Sequence, residues 1–374
     1  MDFSLNDTQT MLADSIDRFI DNDYAFELRQ QFAASETGYS VDVWKTFADL
    51  GWTAVPFGED DGGFDGSAID TMLVMERFGR GLVVEPYLAD IVLAGGVLKR
   101  IAAPAQRERW LHPIIAGELH VSLAFVEPQA GNDLANVETT AKADGADWLL
   151  NGHKGYVLNA RNADWLIVPA RTDATKSGTD GITLFVVEAG ADGLAVHDYP
   201  TVDGQQAADV VLNDVRVPGD AVLGDPGRGF EALDAACDDA TLAVCAEAVG
   251  IMNAMKDKTV AYAKNRIQFG VPIGSFQALQ HRMVDMLTDC EQSRSLLMWA
   301  TMLYAAGSDD AKRAVSAIKY KVGTTGRKVG EEAVQLHGGM GVTWELDIAH
   351  YLKRLTAIGL IFGNADWHLD RLAA

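Results

Sequence analysis

The hydrophobic period of this 374-residue chain changes twice, and the change restricts it to folds that hold a β unit between helical ones. From Asn6, the run NDTQTMLADSIDRFI sets Met11, Leu12, Ile16, Phe19 and Ile20 at helical spacing. Asn6 stands at the cap position, with Gln9 three residues on. VDVWKTFADL, AIDTMLVMERFG, PYLADIVLAGGVLKRIA and PAQRERWLHPIIAG continue the helical pattern, so residues 1–117 read as an α domain. Between 118 and 225 the segments HVSLAF, DWLLNGHKGYVLN, DWLIVPAR, GITLFVVE, LAVHDY and ADVVLNDVRVP are short, β-branched and punctuated by Gly, Asn, Asp and Pro. They predict a small antiparallel β domain, with Asn151-Gly152 as a two-residue hairpin turn.

After GDPGRG the helical period returns, and 226–374 reads as an α domain. Residues 229–266, 275–306 and 309–337 predict three helices far longer than the globular average. A last helix over ELDIAHYLKRLTAIGLIF, 345–362, completes a four-helix bundle. The fold class is therefore α+β, in the order α, β, α bundle.

Composition narrows the partners. A formal charge of −22 leaves no broad basic face for a polyanion, which argues against nucleic acid. No apolar run approaches the length of a bilayer crossing, so no membrane association is expected. Cys237, Cys245 and Cys290 lie in helical patterns without metal or redox spacing, and they read as reduced core residues of a cytoplasmic protein. The start MDFSLNDTQTML lacks the basic and apolar regions of a signal peptide. None of the histidines has metal-ligand spacing.

Four motifs carry the chemistry. AFVEPQAGND at 124–133 is a Pro-Gly turn between strands, and NGHKGYVLNARNADWLIVPAR at 151–171 is a long strand pair. RIQFGVPIGSFQALQH at 266–281 follows a helix, and QLHGGMGV at 335–342 ends one in two glycines. In this order, and over nearly the whole chain, they resemble the TEPxAGSD, NGxKxWITN, RxxFGxPIxxFQ and QxxGGxGY motifs of the acyl-CoA dehydrogenase family. The resemblance implies FAD as cofactor and an acyl-CoA as substrate.

Residue by residue, the resemblance implies two sides to the flavin site. On the ring side, Val126 and Asn132 stand where the family has threonine and serine, while Tyr156 and Leu158 replace tryptophan and threonine. Valine and leucine donate no hydrogen bond, so two polar contacts to the flavin ring are lost together. On the pyrophosphate side, Arg266, Phe269, Gln335, Gly338 and Gly339 match the residues that one family subunit extends to its neighbour's FAD. A guanidinium suits phosphate oxygens, and glycine permits close backbone approach.

The family's catalytic glutamate falls at Gly363, whose backbone N–H is still able to donate to a thioester carbonyl but removes no proton. Glu247 is the replacement candidate. Its helical neighbours Ala240, Ala243, Val244, Gly250, Ile251 and Ala254 are apolar, which favours a raised pKa unless the carboxylate is paired. The structural alternative is a glutamate satisfied inside the bundle by an amide, a hydroxyl or a buried cation. Asp239 and Asp366 are weaker candidates, and His337 and His281 read as structural.

With the pyrophosphate side kept and the ring side eroded, the pattern is most similar to the small subunit of pimeloyl-CoA and steroid side-chain acyl-CoA dehydrogenases. That similarity implies α,β-desaturation in a heterotetramer with a related large subunit, and electron transfer to an electron-transferring flavoprotein. A homo-oligomer, a flavin-dependent monooxygenase or oxidase on the same scaffold, and a catalytically silent structural subunit are the alternatives.

Overall fold

A computed structural model describes residues 4–173 and 177–373. The helices are α1 Asp7–Asp23, α2 Phe26–Ala33, α3 Val41–Asp49, α4 Ala68–Gly81, α5 Gly95–Ile101, α6 Pro104–Gln106, α7 His112–Ile115, α8 Phe230–Asn265, α9 Gln277–Ala305, α10 Ala311–His337, α11 Ile348–Ile358 and α12 Ala365–Ala373. The strands are β1 Val121–Leu123, β2 Thr140–Asp144, β3 Asp147–Leu158, β4 Trp165–Arg171, β5 Ile182–Glu188, β6 Leu194–Pro200, β7 Gln206–Pro218, β8 Val222–Leu223, β9 Ile267–Gln268 and β10 Val271–Pro272. Two short π-helical stretches, Leu88–Ala94 and Arg107–Leu111, interrupt the helical segments that the sequence reads as continuous.

Two compact units result. One comprises Met1–Gln31, Ser67–Val83 and Thr241–Ala374; the other comprises Phe32–Gly66 and Val84–Ala240. The second unit holds a sheet in the order β6-β7-β3-β2-β4-β5-β8, with β1 added against β4. Its pairings are mostly antiparallel, but β1 and β2 each meet β4 in parallel. Strands β4 and β5 are buried almost end to end, as the apolar runs WLIVPA and ITLFVV require.

The Asn151-Gly152 pair is not the hairpin turn. It lies inside β3 at a bulge, and the turn from β2 to β3 falls at Asp144–Asp147, where Gly145 takes φ +67°. Gly152 is required there for space, because a Cβ would stand 2.3 Å from Thr139 Oγ1. Asn151 donates its amide to Asp214 Oδ1 at 2.8 Å, so this dipeptide closes a bulge instead of a turn.

The first unit is helical. Asn6 and Gln9 form the expected capping box on α1, though Met11 is 71% exposed and the buried face is Ala13, Ile16 and Ile20. Helices α4 and α8 meet backbone to backbone. A Cβ on Gly250 would stand 1.8 Å from Glu76 O, and one on Gly79 would stand 2.1 Å from Glu247 O. This close crossing fixes the stretch of α8 that carries Glu247. The last helix expected over 345–362 is shorter: α11 spans Ile348–Ile358, Phe362 and Gly363 take φ +56° and +96°, and α12, which the sequence pattern did not predict, follows. The gap between α11 and α12 presents Gly363 as a loop residue.

Candidate functional site

On the ring side, one buried ion pair ties the first two motifs together. Lys154 in β3 is wholly buried; its Nζ donates to Glu127 Oε1 at 2.5 Å and to the Pro169 carbonyl at 2.7 Å. Glu127 also accepts the Glu138 and Thr139 amides at 2.8 and 3.2 Å. Burial pushes the Glu127 carboxyl up, but the Lys154 ammonium and hydrogen bonds from Thr139 and Gln129 outweigh burial and hold it down to about 2. Burial likewise pulls the Lys154 ammonium down to about 8, against the pull of Glu127. The clasp was present in both motifs as a charged residue of each sign, and sequence reasoning passed over it.

Because Glu127 is depressed in the folded chain, its contribution is present above the usual carboxyl range near 4.5 and is lost as pH falls toward about 2. Urea unfolding midpoints are therefore expected to decline across that window by more in the native chain than in Glu127→Gln. Equal declines in the two proteins would contradict this account of the clasp.

The clasp positions the ring-side candidates. Val126 accepts the Gly155 amide through its carbonyl at 2.9 Å, and its side chain offers nothing polar. Tyr156 and Asn159 both take left-handed φ, +52° and +56°, on either side of Leu158. Such conformations are costly for non-glycine residues and persist where the surroundings enforce them. Here Asn159 donates to the buried Asp90 at 3.2 Å, and the Tyr156 amide meets Asp209 Oδ1 at 3.4 Å. Val126, Tyr156 and Leu158 are half-buried, and Asn132 is exposed. The strand edge is thus shaped and held, but without side-chain donors at 126 and 158.

The pyrophosphate-side residues converge at the ends of α8 and α10 in the helical unit. Tyr262 near the end of α8 stacks on His337 at the end of α10, with ring centroids 4.4 Å apart. His337 donates through Nδ1 to the Ala333 carbonyl at 2.8 Å, and burial pushes its pKa down; it is a structural residue. Arg266 follows directly, its amide bound to Tyr262 O at 2.8 Å. The β9–β10 hairpin then carries Phe269 at its turn, at φ +54° and 93% exposed. Gln335 is exposed, and beyond the adjoining residues nothing described lies within 4 Å of where a Cβ would stand on Gly338 or Gly339. Among the described residues the Arg266 guanidinium has no carboxylate partner. An exposed guanidinium without an ion-pair partner among the described residues, and glycine backbone open at the end of α10, suit a pyrophosphate.

The base region differs from expectation. Glu247 is buried, but it is not alone: Arg354 of α11 donates Nε to Oε1 at 2.5 Å and Nη2 to Oε2 at 2.7 Å. The apolar neighbours on α8 omitted a cation 107 residues away. A two-point bond to a permanent cation engages both carboxylate oxygens. The geometry thus matches the structural alternative for Glu247.

Asp239 pairs with Arg100 at 2.7 Å, and Asp366 is an exposed charge in the first turn of α12. His281 is exposed. Gly363 is buried, and a Cβ there would stand 2.4 Å from the Trp367 ring and 2.9 Å from His368 Nε2. Its carbonyl accepts Lys319 Nζ at 2.6 Å, while its own N–H has no acceptor among the described residues.

No group of His, Cys, Asp and Glu among the described residues forms a metal site, and no described helix is long and apolar enough to cross a membrane. Cys237, Cys245 and Cys290 are buried and form no disulfide among the described residues.

Comparisons with known proteins agree with the geometry. Models of the acyl-CoA dehydrogenase N-terminal, middle and C-terminal domains match residues 6–118, 122–215 and 227–374. The probable acyl-CoA dehydrogenase YngJ of Bacillus subtilis is 31% identical over 367 residues, covering 96% of this chain and 96% of YngJ. Among solved structures, PigA with FAD and proline is similar at a TM-score of 0.92 and 28% identity, covering 100% of this chain and 98% of PigA. The ChsE4-ChsE5 complex from Mycobacterium tuberculosis is similar at 0.90 and 26%, covering 100% of this chain and 98% of the matched one.

Proposed function

Since the chain belongs to the acyl-CoA dehydrogenase family, FAD-dependent oxidoreductases acting on CH–CH groups, we propose that it is one subunit of a two-subunit acyl-CoA dehydrogenase. In this reading it completes the FAD site of a related large subunit, as a heterotetramer, and the complex desaturates a CoA thioester and passes electrons to an electron-transferring flavoprotein. The working division is 1–117, 118–225 and 226–374, with the ring side in the middle segment and the pyrophosphate side in the last.

The observation that carries the reading is an asymmetry. Arg266, Phe269, Gln335 and the two glycines are exposed and available, whereas the ring side has no side-chain donor at Val126 or Leu158 and no carboxylate base at Gly363. A homodimer needs both halves in one chain, and two related chains can divide them. The likeness to one chain of the ChsE4-ChsE5 complex supports that division.

Bound FAD would supply the hydride acceptor. This chain's residues would do the rest of its part by binding. Arg266 would neutralise the pyrophosphate, Phe269 would pack against the cofactor, and the Gly338–Gly339 backbone would approach it without a Cβ in the way. The partner would provide the base. The free N–H of Gly363 would hold a thioester carbonyl in this chain's own half-site.

Purifying the chain alone and adding acyl-CoA tests the reading. The expected result is flavin well below one per chain and no bleaching. Stoichiometric FAD that bleaches on acyl-CoA in the lone chain would rule out the division of labour.

A further inference from the structure

Lys319 sits in α10 with its side chain wholly buried, and Gly363 O is its one hydrogen-bond acceptor among the described residues, at 2.6 Å. No carboxylate lies within ion-pair distance of it among those residues. A buried ammonium with three donors and one neutral acceptor is costly, so its retention asks for a reason. The carbonyl it grips belongs to the residue that matters, one peptide on from the Gly363 N–H. Gly363 is at φ +96°, Trp367 and His368 fill the space a side chain would take, and Phe362 O accepts His368 Nε2–H at 2.9 Å. The loop is therefore clamped on its carbonyl side by two buried side chains, while the Gly363 N–H stays unspent.

We propose that Lys319 is a positioning residue that fixes the Gly363 loop so that its N–H holds the carbonyl of a CoA thioester in this chain's own half-site. The proposal rests on the reading that the half-site takes a CoA thioester. Lys319 adds a requirement that nothing in the motifs names: the donor works when an ammonium behind the loop holds it in place. The titratable groups acting at this point are Cys245 from α8 and His368 from α12. From α9 and α11, the other helices packed on α10, no titratable group contributes among the described residues. Burial holds Lys319 down to about 8, with Cys245 pulling the other way, and burial pushes His368 down to about 4, so His368 is neutral where Lys319 titrates.

A charge-assisted hydrogen bond is about twice as strong as a neutral one, so the clamp loosens as Lys319 loses its proton. Calorimetric titration of the purified oligomer with trans-octenoyl-CoA and with S-octyl-CoA, which lacks the carbonyl, reads this directly. Thioester affinity is expected to fall about five-fold as pH rises through 8, and thioether affinity to stay level. Lys319→Met is expected to bind the thioester about five-fold more weakly below that pH and to show no step. A step of equal size for the thioether, or a thioester step retained in Lys319→Met, overturns the role of Lys319. A protein that binds the thioether but not the thioester at any pH overturns the thioester reading, and this inference with it. Should Lys319→Met fail to fold, the two wild-type profiles decide between the outcomes.

Discussion

Arg266→Gln in this chain is expected to strip FAD from the assembled complex while leaving the fold intact. The guanidinium has no ion pair among the described residues and stands exposed after α8, so its removal disturbs no internal contact. What disappears is a charge-assisted contact to phosphate, worth about 1.5–3 kcal/mol, or about 10- to 100-fold in cofactor affinity. The measurement is flavin absorbance per chain after gel filtration of the copurified complex, with free FAD added back. Restored occupancy at high FAD with a weakened dissociation constant is the predicted behaviour. Unchanged occupancy on simple dilution would remove Arg266 from the cofactor site.

Arg354→Ala is the second large effect, and it falls on stability. Glu247 and Arg354 are both nearly inaccessible and joined at 2.5 and 2.7 Å; deleting the cation leaves an uncompensated carboxylate inside the bundle. Breaking one partner of such a pair costs about 3–5 kcal/mol, whereas replacing both with apolar residues of similar volume is often near neutral. The double variant Glu247→Met with Arg354→Met should thus recover most of what Arg354→Ala loses, as read from urea midpoints. Glu247→Gln should leave bleaching of the complex by acyl-CoA unchanged. Abolished bleaching with FAD retained would make Glu247 the base after all.

The fold was legible where local rules decide. Period alone placed α1, α8, α9 and α10, because long amphipathic helices announce themselves every three to four residues. The cap at Asn6 and Gln9 was equally local. Asn151-Gly152 misled for a physical reason: left-handed tolerance and the absence of a Cβ serve a bulge over Thr139 as well as a turn. Helix α2 and strand β2, FELRQQFA and TAKAD, are too polar for their period to show.

The site divides in the same way. Arg266, Gln335 and the glycines could be found because each lies in a contiguous motif. Glu127 with Lys154, Glu247 with Arg354, and Lys319 with Gly363 are pairs 27, 107 and 44 residues apart. Folding alone brings such partners together. Gly363 was visible as a loss, but its meaning depended on neighbours. With Trp367 and His368 filling the side-chain space, the position is built for glycine and is not an active site awaiting a carboxylate.

The division of labour is tested most directly by the ratio of FAD to chains in the complex copurified from the native source. Two kinds of chain in equal amounts and one FAD for each unlike pair are expected. One FAD for every copy of this chain, in an assembly containing no other subunit, would contradict it.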